Sequence, residues 1–240
     1  LTTTSTITCD REGTIGTVSI RWYTVEFGGN VKVQHLTGTD CDAVDGTSEV
    51  SIPTPVQSMS RTFLLYSQKA QGGGHGSDDF RTVRLINSSQ VEIREMPAGC
   101  IAGYAYALQV VEHPGVSVTR GLTGTMAAAT SSVSVSGLSA VDPAKTMLLY
   151  SWRGNRAGTA MCSIMVRGEI DSATSLRFTR GDGAAGCDGD VIDDIAWERI
   201  EFTDGAVVRQ VQAAMAAGAA TANVSFASVA TTRTVVFSGG

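Results

Sequence analysis

Two separate motifs return along this chain with one shared spacing, and that spacing limits what the chain can fold into. Leu64-Leu65-Tyr66-Ser67 returns as Leu148-Leu149-Tyr150-Ser151 and again as Val235-Val236-Phe237-Ser238. The run Ile20 to Phe27 returns as Tyr106 to His113 and as Ile195 to Phe202. Both steps are roughly 85 to 90 residues, so the chain reads as a tandem array of one fold. Such arrays build length or valency more often than a single active site.

Within a repeat the apolar pattern has the period of strands. Ser131 to Gly137 alternates strictly, and Thr146 to Trp152 is a continuous apolar run of the kind buried at the centre of a sandwich. Further strands are expected at Cys162 to Ile170, Ser175 to Thr179 and Asp193 to Phe202. Asp204-Gly205 is a hairpin signal leading into a sixth strand, Ala206 to Val211. The preceding repeat supplies the same order at Glu49 to Ile52, Thr62 to Ser67, Thr82 to Ile86, Gln90 to Arg94, Gly103 to Glu112 and Val116 to Arg120. Short strands, turn signals every ~8–12 residues and no helical period predict an all-β chain of tandem small antiparallel β-sandwiches, about six strands each. The Ala-rich stretches Leu122 to Thr130 and Val211 to Ala220 read as linkers between repeats.

The register of the motifs places complete repeats at 45–121 and 130–211, the C-terminal part of a repeat at 1–37 and the N-terminal part of one at 221–240. Half a sandwich exposes an apolar face and open strand edges, which invite another chain. The remainder is expected from this chain curling back, from a neighbouring molecule by strand complementation, or from further sequence of a longer protein. In the second case copies join head-to-tail. The strands involved carry Thr6, Ile20, Trp22 and Val33 at one end, and Val224, Phe226, Val235 and Phe237 at the other.

Composition narrows the function classes. Apolar residues make up 42% and charged residues 17%, below the usual ~25% charged. Lysine is confined to Lys32, Lys69 and Lys145, while Gly, Ser, Thr, Ala and Val abound, a balance that suits exported β-proteins. Net charge is −5 and no basic cluster exists, which argues against a nucleic-acid partner. No apolar run reaches the ~18 residues of a membrane-spanning helix.

Cys9, Cys41, Cys100, Cys162 and Cys187 form no C-x-x-C pair, so zinc-ribbon and thioredoxin readings fail. Cys162 opens one predicted strand and Cys187 follows the next, so the two ends of that hairpin bring them together, and a disulfide is expected. The loop between them carries Asp182, Asp188 and Asp190, with Asp193 and Asp194 beyond. It is read as a solvated acidic loop, with Ca²⁺ as the alternative occupant. Arg180-Gly181-Asp182 spells an integrin-type tripeptide, at a frequency chance accounts for. The Gly-rich run around His75 joins two predicted strands and so lacks the helix a phosphate cradle needs. No nucleophile elbow or His-Glu-x-x-His pattern is present, and the chain is read as a non-enzyme with no cofactor. Glu26, Glu112 and Glu201 recur at one position and are read as structural. Trp22 and Trp197 share another with Leu108 and are read as core, an aromatic edge for stacking on a sugar being the alternative.

The run Lys145 to Ser151, the hairpin Arg167 to Thr179 and the Trp-bearing run Ile195-Ala196-Trp197 resemble, in their order, the H-type lectin sandwich. That resemblance implies a six-stranded domain that trimerises and binds galactose-type sugars. The Arg21 to Phe27 and Leu64 to Ser67 elements also resemble tandem repeats of large exported bacterial proteins and phage fibres. The expectation is therefore a segment of an extracellular or cell-surface fibre, stalk or adhesin shaft whose partners are copies of itself. The alternative is a carbohydrate-binding module whose partners are glycans.

Overall fold

The computed structural model describes residues 25–26, 29–40, 46–69, 80–95, 104–154, 164–180, 191–212, 223, 225–229 and 234. The described residues are all-β, built as small antiparallel β-sandwiches. Among them no helix is long and apolar enough to cross a membrane.

The first six strands are β1 (Lys32–Asp40), β2 (Thr47–Ser51), β3 (Thr62–Lys69), β4 (Thr82–Asn87), β5 (Gln90–Arg94) and β6 (Tyr104–Glu112). They form two sheets, ordered β1-β6-β3 and β2-β5-β4. The next six are β7 (Val116–Thr123), β8 (Ser132–Val135), β9 (Thr146–Gly154), β10 (Val166–Ser172), β11 (Ser175–Arg180) and β12 (Ile192–Phe202). Their sheets, β7-β12-β9 and β8-β11-β10, repeat the first order strand for strand. Each sandwich buries the inward-facing alternate residues of its two sheets. Leu64, Val83, Leu85, Val91, Ile93, Leu108 and Val110 fill the first core, and Met126, Val166, Leu176, Phe178, Ile192, Ile195 and Trp197 the second. Fully burying a side chain of this kind contributes about 1.5–3 kcal/mol.

The pairing departs from the sequence reading at the strand after each Glu-bearing run. Val116 to Arg120 is expected to close the first complete repeat. Instead β7 pairs with β12, Val118 opposite Ile200 and Gly121 opposite Trp197. In the same way β1 pairs with β6, with Val33 opposite Val111. That strand therefore opens the sandwich that follows it. The reason lies in the side chains. Val116 and Val118 point away from both sandwich cores into a separate apolar cluster, whereas Ser117 and Gly121 line the inward side. Residues 203–212, where Asp204-Gly205 signals a hairpin, form no strand.

The Ala-rich stretch after β7 is not an inter-repeat linker either. Met126 is fully buried and bridges to Ile192 by reciprocal backbone hydrogen bonds. Arg180, at 7% exposure, donates to the carbonyls of Ala127, Ala128 and Thr130. The connection thus lines the second core, and the Arg of the Arg-Gly-Asp tripeptide is turned inward.

Candidate functional site: the joint between the sandwiches

β3 and β4 are the edge strands on one side of the first sandwich, and open edges present unpaired backbone groups. The outer face of β7-β12-β9 covers them. Leu64 N–H, on the free side of β3, donates to Glu198 Oε2 at 2.7 Å. Val83 N–H, on the free side of β4, donates to Ser151 Oγ at 2.8 Å. Arg120 closes the arrangement, bonding Glu198 Oε1 at 3.1 Å through Nε and the carbonyl of Thr62 through Nη2. Side chains of one sandwich thus satisfy the strand edges of the other, which removes a buried-amide penalty of about 1–3 kcal/mol each.

Apolar and ionic contacts flank this centre. On one side Phe63 and Val111 of the first sandwich meet Val116, Val118 and Ile200 of the second, each under 8% exposed. On the other, Arg153 bonds Asp194 Oδ2 at 2.9 Å and reaches across to the carbonyl of Glu95 at 3.0 Å, while Arg94 reaches back to Asp194 at 3.2 Å. Phe80 stacks on Trp152 with centroids 5.0 Å apart. Burial raises the Glu198 carboxyl above its ordinary range, against the opposing pull of the Arg120 charge and the Leu64 amide.

The recurring glutamate is a structural device. Glu112 accepts the Ser58 N–H at 2.9 Å, and Glu201 accepts the Asp142 N–H at 2.8 Å. Each amide belongs to the residue that opens a 3₁₀ turn, Met59–Arg61 or Pro143–Lys145, leading into β3 or β9. Thr62 and Thr146 hydroxyls close the same turns onto the Ser58 and Asp142 carbonyls.

The remaining expected residues fall as follows. All five cysteines, including the expected Cys162–Cys187 pair, lie outside the described residues, as do Asp182, Asp188 and Asp190. Asp193 and Asp194 are both engaged by Arg153. Among the described residues no three His, Cys, Asp or Glu side chains converge as metal ligands. Of the expected assembly residues, Val33 sits on β1, hydrogen-bonded along one side to β6, so it belongs to the first sandwich and not to a separate half-repeat. Phe226 is half exposed and outside any strand, and Thr6, Ile20, Trp22, Val224, Val235 and Phe237 lie outside the described residues. Trp197 is 5% exposed over Gly121, where an added Cβ would lie 2.4 Å from the indole, so its ring is core and not a sugar platform. A cleft of about 430 Å³ beside the joint is lined by Arg84, Arg120, Leu122, Trp197 and Glu198. Its charged groups are already committed, Arg84 to Glu92 and Arg120 to Glu198.

The sequence reading did not single out Glu198, Arg120, Ser151 or Arg153. The available signal was charge inside otherwise apolar strands, which becomes meaningful once the cross-strand pairing puts Arg120 opposite Glu198. Compared with known proteins, the chain matches no family model, no curated protein and no solved structure.

Proposed function

We propose that this chain is a load-carrying segment of an extracellular repeat protein, a fibre, stalk or adhesin shaft, whose task is reach and display and not catalysis. The observation that supports the reading is the joint. Successive sandwiches share a buried apolar cluster, and side chains of one cap the strand edges of the next. A flexible tether would let the two reorient. A joint closed by Glu198, Arg120 and Arg153 resists this, and stiffness at each step is what a shaft needs. Head-to-tail association of copies and a Cys162–Cys187 bridge belong to the same reading, since exported arrays have to survive outside a reducing compartment.

Small-angle scattering tests the stiffness independently of any self-association. A second copy of residues 114–202 inserted after Phe202 adds one sandwich in frame, since Phe202 is the counterpart of His113. The proposal expects the maximum dimension to grow by one even step per added sandwich, with a rod-like cross-section. A particle that stays compact, or one whose scattering requires freely hinged beads, would count against it.

A further inference from the structure

We propose that each sandwich is a tension-sensitive element: a pull along the main chain peels its opening strand from its sixth strand, starting at one end, and the array answers load by lengthening in steps. This rests on the shaft reading above and states how such a shaft yields.

The first half of the argument is the path of the chain. It enters and leaves each sandwich at neighbouring points. β1 begins at Lys32, and Lys32 lies opposite Glu112, the last residue of β6. β7 begins at Val116, and Val116 lies opposite Phe202, the last residue of β12. Strands paired in this way run roughly 5 Å apart, so a folded sandwich adds little to the length of main chain that a pull has to span. Drawn out fully, the stretch from Val116 to Phe202 would reach about 300 Å. That length is held back by one ladder, β7 on β12.

The second half is the direction in which that ladder is loaded. Its bonds run perpendicular to the strands. Force entering at Val116 and leaving at Phe202 falls on the rung at that end, and the rungs then open one after another. Force drawing the two strands past each other would load every rung from Val116–Phe202 to Thr123–Ile195 at once. The end that bears the load carries its own fastening. Thr203 N–H donates to the Gly115 carbonyl at 2.8 Å. The His113 ring stands edge-on to Phe202, with Nε2 3.7 Å from Asp204 Oδ2. Its Nδ1 accepts the Gly115 N–H at 3.0 Å. Only a glycine fits between, since a Cβ on Gly115 would lie 2.8 Å from that of Asp204. The outward side of β7 belongs to the joint, through Val116 and Val118 against Phe63 and Val111, and through Arg120 on the Thr62 carbonyl. Ile200 of β12 shares that cluster, so peeling β7 away also divides the joint. Sandwich and joint therefore yield in one event.

Single-molecule pulling on the full chain tests this by changing direction alone. An azide-bearing phenylalanine replaces Pro114 together with either Ala206 or Val191, and DNA handles are attached to each pair. Pro114 and Ala206 are exposed at the loaded end of the ladder, whereas Val191 precedes the far end of β12. The first pair peels β7 from β12 and the second shears it. The two labelled chains are compared at one loading rate, after their melting temperatures are shown to agree. The Pro114–Ala206 pair should open at a force several-fold lower than the Pro114–Val191 pair. Equal forces, or a higher force for Pro114–Ala206, would overturn the proposal. Neither result alters the tandem-length scattering, which reads the unloaded shape and judges the shaft reading by itself.

Discussion

The two sandwiches fill the same central position by opposite means. In the first, Leu36 on β1 faces Leu108 on β6. In the second, Gly121 on β7 faces Trp197 on β12. Two medium side chains have become one large and one absent, an exchange within a pair that projects from one face of the sheet. The outer face differs in kind. Where the second sandwich presents Glu198 and Arg120 to its neighbour, the first carries Gln109 and His35 at the matching positions. The core therefore tolerates exchange within a pair, while the outer face carries groups chosen for what lies across the joint.

The largest effect is expected at the joint. Glu198→Ala removes the acceptor of the Leu64 amide and leaves Arg120 without its carboxylate. A loss of about 3–5 kcal/mol is expected from chemical denaturation. Reduction should separate the two sandwiches next. A Cys162–Cys187 bridge would close a loop worth about 3 kcal/mol in the second sandwich alone, and peptide mapping without reductant should find the linked pair. Free, alkylatable thiols at both positions would remove that difference.

Exchanging the central pair gives a smaller and more diagnostic result. Gly121→Leu drives a side chain into the indole and should cost about 1–3 kcal/mol, and Trp197→Leu opens a cavity of similar consequence. Together they rebuild the pairing of the first sandwich, so the double variant should recover much of the loss, with a coupling on the order of 1–3 kcal/mol. Additive losses would show that the two sandwiches are not equivalent at this position.

The smallest effect concerns pH. Burial raises the folded-state value of Glu198 above the ordinary 4.5, so over that window the folded chain keeps a proton the unfolded chain has released. Its contribution is full below the ordinary value and is lost as pH rises through the folded one. Glu198→Gln imports the residue of the first sandwich, keeps an acceptor for Leu64 and should flatten this dependence. Melting temperatures of both proteins across the acidic-to-neutral range check the slope; a parent that gains stability as pH rises, with a variant that does not, would reverse the sign assigned to burial.

The strands were legible because alternation and turn residues are local. Gln90 to Arg94 and Thr146 to Trp152 coincide with β5 and with most of β9. The partner of Val116 to Arg120 was not legible, because Pro114-Gly115 and Asp204-Gly205 carry the local chemistry of hairpins while the choice between β6 and β12 is tertiary. One apolar side was visible on that strand, and nothing local says whether it faces a core or a neighbouring sandwich. The recurring Glu112 and Glu201 were readable as structural, though the amides they hold, Ser58 and Asp142, lie 54 and 59 residues away. The joint was hidden for the same reason, since Glu198 and Leu64 are 134 positions apart.

Amide hydrogen exchange at Leu64 and Val83 tests the joint most directly. Both amides sit on edge strands and owe their partners to the other sandwich, Glu198 and Ser151. The account predicts that they exchange as slowly as the central-strand amides of β6 in the parent, and that Glu198→Ala speeds Leu64 by at least an order of magnitude more than it speeds β6. Exchange of Leu64 and Val83 at the rate of open edge amides in the parent chain would contradict it.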